Sequence, residues 1–306
     1  MKIVIAGAGA VGCHYGSLLQ QAGCDVVFLA RGPHLQAMQT SGLKHASLDW
    51  QREFSVRADN DPSVVADAHA VLITCKTTGL NVMCRQLVAH MPANALLVTL
   101  QNGVQAPDEV AKHFPDHSII AGSAFIGARI EEPGYVVHSA AGHVRLGLWQ
   151  HNNDPDIEPK LESLLLSFQQ AGVDARQAAD AKQLLWNKML WNCGFNAITA
   201  LTRRYARDIA NEEATALLAL TAMQEAVSLA EAKGVKLPEN AAEKQLAISR
   251  KLGLVKTSMW QDIEQARPTE IDAMNGYISD TADELGHRAL VNRMLATLVR
   301  ALDHGQ

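Results

Sequence analysis

The stretch MKIVIAGAGAVGCHYGSLLQ, residues 1–20, decides the fold class. Its first six residues form a short apolar run, and three glycines follow at positions 7, 9 and 12. Apolar residues then recur with helical spacing at Leu18, Leu19 and Ala22. An apolar strand, a G-x-G-x-x-G turn and a helix, in this order, predict the phosphate-binding loop of a dinucleotide fold.

Each glycine of this turn has a separate physical task in such a fold. Gly7 allows the tight turn after the strand, Gly9 lets the backbone approach the pyrophosphate, and Gly12 lets the helix pack closely on the strand. The first N–H groups of the helix then face the phosphates. We therefore expect the turn to bind the cofactor through Gly7, Ala8, Gly9, Ala10, Val11 and Gly12.

A cleaved export signal is a second interpretation of the same stretch. Lys2 precedes the apolar run, and Val11-Gly12-Cys13 resembles a lipoprotein cleavage site. A signal peptide needs a continuous apolar helix, however, and glycines interrupt this run.

The five cysteines are odd in number and form no C-x-x-C pair, which favours a reducing compartment over a disulfide or zinc framework. We expect a cytoplasmic protein.

Length, composition and charge narrow the function classes further. The chain has 306 residues, enough for two domains, with 48% hydrophobic and 19% charged residues, as in soluble globular proteins. No apolar run approaches the roughly 18 residues that a membrane span needs. The net charge of −5 disfavours a nucleic-acid surface. His113 and His117 are four apart but flank Pro115, so we expect no bound metal.

Short apolar runs alternate with helical segments through the first half of the chain. The runs are KIVIA (2–6), DVVFLA (25–30), AVLITC (70–75), ALLVTL (95–100) and SIIAG (118–122). Continuous apolar runs of this length indicate parallel strands that are buried on both faces. Two later runs, GYVVHSA (134–140) and GHVRLGL (142–148), alternate more clearly and predict an antiparallel pair that closes the domain.

From about residue 180 the pattern is helical throughout. The sequence therefore predicts an α/β domain followed by an all-α domain: a Rossmann-type dinucleotide-binding domain over residues 1–179 and a helical substrate-binding and catalytic domain over residues 180–306. The oligomeric state is left open between a monomer and a homodimer.

The end of the second apolar run favours NADP(H) over NAD(H). Sites specific for NAD usually place an acidic residue there to bind the ribose 2′-hydroxyl. This chain reads VVFLARGP over residues 26–33, with Ala30 and Arg31 in that region and no carboxylate. A guanidinium suits a 2′-phosphate by its charge and its forked donors. A solvated loop arginine is the alternative.

The segment LLWNKMLWNCGFNAITAL, residues 184–201, carries a polar stripe through an apolar helix. Lys188, Asn192 and Asn196 are four residues apart and share one helix face. A lysine and two amides amid apolar residues are costly without polar partners, which a bound substrate would supply. A partly desolvated lysine can donate a proton near neutrality, as reduction of a ketone requires. Further along, Ser258 could bind a carboxylate, and Glu270 could pair with a lysine or bind a substrate hydroxyl.

Taken together, these motifs resemble the ketopantoate reductases, the 2-dehydropantoate 2-reductases of pantothenate synthesis. The resemblance covers essentially the whole chain and adds CKT (75–77), QNG (101–103) and SMWQDI…RPTEIDAMNG (258–276) to the stretches above. It implies a Rossmann domain joined to a helical domain, with the active site in the cleft between them. It also implies NADPH as the cofactor and a small 2-oxo acid as the substrate.

The resemblance also implies a role for each matching residue. Lys188 resembles the general acid that protonates the ketone oxygen, and Glu270 its acidic partner. Asn192, Asn196 and Ser258 are similar to substrate-binding residues of the family. Asn102 is similar to a residue near both the nicotinamide and the substrate, and Lys76 to a lysine on the cofactor side.

Two alternatives to reduction of 2-dehydropantoate stay open at this point. One is an NADPH-dependent reductase of another 2-oxo acid, because the chain departs from the family pattern with Arg203 and Arg204, which would suit a second anionic group on the substrate. The other is a redox sensor that binds NADP(H) without catalysis. A sensor would need the glycine turn but neither the Lys188 stripe nor Glu270.

Overall fold

The computed structural model describes residues 1–152 and 154–303. They form two compact units. The first comprises Met1–Gln101 and Gln105–Ala181, and the second comprises Asn102–Val104 together with the described chain from Lys182 onward.

A single sheet of ten strands runs through the described part of the first unit. The strands are β1 (Lys2–Ala6), β2 (Asp25–Leu29), β3 (Leu43–Ser47), β4 (Trp50–Phe54), β5 (Arg57–Asp59), β6 (Ala70–Ile73), β7 (Leu96–Thr99), β8 (Ile119–Glu132), β9 (Tyr135–Gln150) and β10 (Ala175–Gln177). Their order is β4-β3-β9-β8-β7-β6-β1-β2-β5, and β10 pairs with β9. All pairs from β8 through β7, β6, β1 and β2 to β5 are parallel.

Helices cover both faces of the parallel part of this sheet. They are α1 (Ala10–Gln21), α2 (Gly32–Ser41), α3 (Leu80–Leu87), α4 (Ala106–His113) and α5 (Ile157–Gln170), with 3-10 turns at Pro62–Val65 and Thr77–Gly79. Ile3 and Ile5 of β1 share one core with Leu19 of α1, whereas Val4 shares the opposite core with Leu87 of α3. Successive residues of β1 thus face two hydrophobic layers, which explains the continuous apolar runs. The predicted Rossmann-type architecture is confirmed.

The prediction for the two alternating runs near residue 140 was wrong. GYVVHSA and GHVRLGL lie in one continuous strand, β9, which pairs antiparallel with β8 instead of folding on itself. The register shifts where Ala141 and Gly142 adopt φ of 56° and 117°. The His138 ring nitrogen Nε2 lies 3.0 Å from the carbonyl oxygens of Ala140 and Ala141. A β-bulge, hydrogen-bonded to the His138 ring, therefore occurs where a turn was predicted.

Three histidines from α1, β3 and β9 cluster beside this bulge, and all are buried. His14 Nδ1 lies 3.1 Å from His45 Nε2, and His45 Nδ1 lies 2.8 Å from the Ser17 hydroxyl. His138 Nδ1 lies 2.7 Å from Ser47 Oγ. Because a carbonyl oxygen can only accept, His138 carries its proton on Nε2 and accepts from Ser47. The three histidines are thus held by hydrogen bonds between His14 and His45, to two serines and to backbone carbonyls.

We expect this cluster to make folding sensitive to acid. Burial lowers the pKa of His14 to about 2 and that of His45 to about 4, from an ordinary value near 6.5. The unfolded chain therefore binds more protons below pH 6.5, and stability falls as the pH falls. Each of the two histidines should lower the free energy of unfolding by about 2 kcal/mol when the pH is lowered from 7 to 5. Urea unfolding at the two pH values measures this loss.

Matched glutamine variants test the assignment. His14→Gln and His45→Gln should each remove about 2 kcal/mol from the pH-dependent loss. The exposed His287 provides the control, because His287→Gln should leave the loss unchanged. An equal pH dependence in all three variants would show that the cluster is not the source.

The second unit is helical over its described residues. Its helices are α6 (Ala181–Thr202), α7 (Ala206–Asn211), α8 (Glu213–Ala232), α9 (Ala241–Ser249), α10 (Ser258–Glu264), α11 (Asn275–Glu284) and α12 (Leu290–Asp303), with a 3-10 turn at Ile271–Ala273. Gly194 of α6 is a close-contact position, since a Cβ there would lie 2.9 Å from Met223 Cγ of α8. Within residues 1–152 and 154–303, no helix combines the length and apolarity needed to cross a membrane.

Candidate functional site

The glycine turn between β1 and α1 is closely packed at two of its glycines and open at the third. A Cβ on Gly7, whose φ is 109°, would lie 2.5 Å from the backbone nitrogen of Cys75. A Cβ on Gly12 would lie 2.6 Å from the Gly7 carbonyl oxygen. Beside Gly9, in contrast, the position of a Cβ is open, with nothing within 4 Å. Two glycines thus hold the backbone together, and the third leaves space at the start of α1.

Thr74, which was not among the predicted site residues, stabilises this turn by a hydrogen bond. Its hydroxyl donates a 2.7 Å hydrogen bond to the Gly7 carbonyl oxygen from the end of β6. The Gln101 amide donates to the carbonyl oxygens of Ile73 and Cys75, at 2.9 and 3.2 Å. The loops that follow β1, β6 and β7 are therefore bonded to one another. A hydroxyl residue at the end of an otherwise apolar run, within residues 70–75, was the available signal for Thr74.

The other two cofactor candidates of the first unit also follow strands of the parallel sheet. Arg31 is exposed and occupies the position directly before α2, two residues after β2 ends at Leu29. Lys76 is exposed and follows β6. A carboxylate does stand nearby, because Asp59 of β5 pairs with Leu29, but its Oδ1 accepts from the backbone nitrogens of Asn60 and Asp61. The Asp59 carboxylate is thus hydrogen-bonded to the backbone of the turn that follows it.

The polar stripe of α6 is largely buried in the second unit. Asn192 is 3% exposed and Asn196 is 2% exposed. The Asn196 amide nitrogen lies 3.4 Å from Asn192 Oδ1 and 3.1 Å from the Met274 sulfur. Asn192 Nδ2 and Asn196 Oδ1 have no hydrogen-bond partner among the described residues. One donor and one acceptor on neighbouring turns of α6 are thus left unsatisfied, which is costly unless a ligand pairs with them.

Glu270 connects the stripe to Asn102 and Gly103, which belong to the second unit. The Asn102 amide nitrogen donates a 2.9 Å hydrogen bond to Glu270 Oε2. Gly103, with φ of 86°, packs against the turn after Glu270, since a Cβ there would lie 2.6 Å from the Ala273 carbonyl oxygen. A glycine at 103 therefore lets Asn102 reach the carboxylate.

Lys188 is electrostatically tuned by its surroundings. Burial lowers the pKa of the Lys188 ammonium to about 8, while the negative charge of Glu270 opposes this and favours the charged form. An ammonium with this pKa is mostly protonated at neutral pH and can still release its proton readily. Lys188, Glu270 and Asn102 form a connected acid–carboxylate–amide set within one unit.

Ser258 is exposed at the first position of α10, directly after the capping residue Thr257. The structure thus places Gly7 to Gly12, Arg31 and Lys76 in the first unit, and Asn102, Lys188, Asn192, Asn196, Ser258 and Glu270 in the second. Among the described residues, no group of three or more histidine, cysteine, aspartate and glutamate side chains is arranged to hold a metal ion.

Comparison with protein families accounts for nearly all of the chain. The family model described as ketopantoate reductase PanE/ApbA matches residues 3–151, and its C-terminal counterpart matches residues 180–303. This chain belongs to the ketopantoate reductase family. The resemblance stated from the motifs is confirmed.

Individual ketopantoate reductase relatives match over their full length. The 2-dehydropantoate 2-reductase of Halobacterium salinarum is 29% identical over 302 residues, which is 98% of both chains. A crystal structure of 2-dehydropantoate 2-reductase from Geobacter metallireducens GS-15 superposes with a TM-score of 0.89 at 32% identity, covering 98% of this chain and 99% of that one. The same fold occurs in D-mandelate dehydrogenase, with a TM-score of 0.90 at 24% identity and coverage of 100% and 99%.

The departure from the ketopantoate reductase pattern at Arg203 and Arg204 has a local explanation. Arg203 is exposed, and its Nη1 lies 4.0 Å from Glu264 Oε1, a carboxylate that Lys256 also pairs with. Arg204 is exposed, and its charge helps to lower the pKa of Glu212, behind the hydrogen bonds that Thr215 and Ala214 donate to that carboxylate. Both arginines thus have carboxylates of the second unit near them.

Proposed function

We propose that this protein is an NADPH-dependent reductase that converts 2-dehydropantoate to (R)-pantoate in pantothenate synthesis. The observation that carries the proposal is the α6 stripe: a lysine with a lowered pKa, followed by two buried amides with an unsatisfied donor and acceptor. In this proposal residues 1–179 bind NADP(H) and residues 180–306 bind the substrate and catalyse its reduction. None of the five cysteines is in a disulfide bond, which supports a cytoplasmic location.

Residues of the first unit fit the proposed cofactor. The open space beside Gly9 and the start of α1 suit a pyrophosphate, and the Arg31 guanidinium suits a 2′-phosphate. Lys76 and Asn102 are proposed as further cofactor contacts. When bound, NADPH would supply the hydride that reduces the ketone carbon.

The chain's own residues supply the proton and hold the substrate. Lys188 donates its ammonium proton to the ketone oxygen as the carbon–oxygen double bond becomes a single bond, and water later restores that proton. Glu270 keeps the ammonium charged, and Asn102 fixes the carboxylate of Glu270 by its hydrogen bond. Ser258 binds the substrate carboxylate, while Asn192, Asn196 and Glu270 serve the hydroxyl end.

A substrate panel tests the proposal. NADPH oxidation by the purified protein should be fastest with 2-dehydropantoate among branched, hydroxylated and dicarboxylic 2-oxo acids. Oxidation with none of them would contradict a reductase, and faster oxidation with another acid would change the substrate alone.

We expect Arg31→Ala to weaken NADPH binding about 10–100-fold, because a charge-assisted hydrogen bond contributes roughly 1.5–3 kcal/mol. NADH lacks the 2′-phosphate, so its affinity should stay nearly unchanged. Dissociation constants of both dinucleotides, from the quenching of protein fluorescence, measure the effect.

The matched control is Arg52→Ala, which removes an exposed arginine from β4 at the other edge of the same sheet. It should change neither affinity. Equal losses for NADPH and NADH in Arg31→Ala would show that Arg31 does not recognise the 2′-phosphate.

A further inference from the structure

Two buried threonines link α6 to the residue that precedes Ser258. The hydroxyl oxygens of Thr199 and Thr257 lie 2.7 Å apart, and the two residues are 0% and 2% exposed. The Thr199 hydroxyl donates to the Asn196 carbonyl oxygen at 3.1 Å, and the backbone nitrogen of Trp260 donates to Thr257 Oγ1 at 3.3 Å. Since the proton of Thr199 is already donated, Thr257 must donate to Thr199.

This bond joins the two groups of residues that the proposed function assigns to the substrate. Thr199 continues the face of Asn192 and Asn196 by one more turn of α6. Thr257 is bonded covalently to Ser258 and caps α10 through its hydroxyl. A hydrogen bond therefore holds the start of α10, and with it the backbone of Ser258, to the α6 turn that follows the two amides.

We propose that Thr199 and Thr257 form a positioning pair that sets the distance between the carboxylate-binding Ser258 and the hydroxyl-binding amides of α6. The inference rests on the proposed function, because it assumes that Ser258 and the amides hold opposite ends of one 2-oxo acid. Neither threonine contacts the reacting atoms. Without the bond, the start of α10 can move relative to α6, and a substrate that must reach both ends binds less well.

The test compares Thr199→Val, which keeps the shape of the side chain and removes the hydroxyl, with Thr199→Ser, which keeps the hydroxyl. Thr199→Val should raise KM for 2-dehydropantoate about tenfold, the usual effect of one net hydrogen bond. The value of kcat and the dissociation constant of NADPH should change less than about threefold, and Thr199→Ser should restore KM. Thr257→Val should raise KM similarly, and the double variant should be no worse than the poorer single one.

The control is Thr297→Val on α12, where an exposed threonine donates to the carbonyl oxygen one turn earlier. It should leave KM unchanged. A lower melting temperature with normal KM in both Thr199→Val and Thr257→Val would make the pair merely structural and overturn the inference. Failure of the proposed function would give a different result, because the unmodified protein would then fail to oxidise NADPH whichever 2-oxo acid was added.

Discussion

Lys188→Ala should lower kcat for the reduction of 2-dehydropantoate by about 10²–10⁴-fold, the usual contribution of a general acid. Burial lowers the pKa of the Lys188 ammonium to about 8, against the opposing charge of Glu270, so this group suits the role of proton donor that we propose for it. NADPH affinity should change little, because the glycine turn belongs to the first unit. Steady-state kinetics and a direct NADPH titration separate the two quantities.

The pH profile gives the same prediction a second readout. A general acid must carry its proton, so kcat should fall as the pH rises through about 8, and Lys188→Ala should lose this dependence. Lys182→Ala, at an exposed position of the same helix, should retain both the rate and the profile. Near-normal turnover by Lys188→Ala would remove the residue from the mechanism and favour proton donation by water.

Local sequence patterns predicted the parts of the first unit that local interactions build. The glycine turn, β1 and α1 were correct because φ restrictions, strand burial and helical spacing all act within twenty residues. The strands β3, β4 and β5 were missed, since Trp50–Phe54 is mostly exposed and polar. The edge strand β4 pairs with β3 directly before it, whereas β3 also pairs with β9 and β5 pairs with β2, which are both remote in sequence.

The error at β9 has the same origin. A glycine between two alternating runs is equally compatible with a turn and with a bulge, and the choice depends on whether β8 continues alongside. The spacing of apolar and polar residues also does not predict the hydrogen bonds of His138 to the carbonyl oxygens of Ala140 and Ala141.

The candidate site was predictable only where its residues share one helix. Lys188, Asn192 and Asn196 follow from a four-residue spacing. The Asn102–Glu270 bond spans 168 residues, and the Thr199–Thr257 bond spans 58. Both pairings depend on how the helices pack, which no local pattern in a single sequence contains. The role of Asn102 therefore came from the family resemblance alone, and the residues offered for Glu270 only a lysine or a substrate hydroxyl as partner.

The two unsatisfied amide atoms of α6 limit which chemical group of a substrate can bind beside them. Asn192 Nδ2 can only donate a hydrogen bond, and Asn196 Oδ1 can only accept one. A hydroxyl group both accepts and donates, so a substrate hydroxyl can pair with either atom. A substrate without that hydroxyl would bury the two amide atoms unpaired, at roughly 1–3 kcal/mol each.

We therefore expect 2-dehydropantoate to exceed 2-oxoisovalerate, which lacks the hydroxymethyl group, by at least about 10²-fold in kcat/KM. Asn196→Leu removes the acceptor at similar volume, so it should reduce this ratio to about tenfold or less by slowing 2-dehydropantoate more than 2-oxoisovalerate. Asn187→Leu, on α6 but off the stripe, should keep the full ratio. Competing both acids in one assay at limiting NADPH, with the products separated by chromatography, measures the ratio directly. A ratio near one in the unmodified protein would contradict a hydroxyl site at these amides, and a dicarboxylic 2-oxo acid that outcompetes both would overturn the substrate while leaving the proton donor in place.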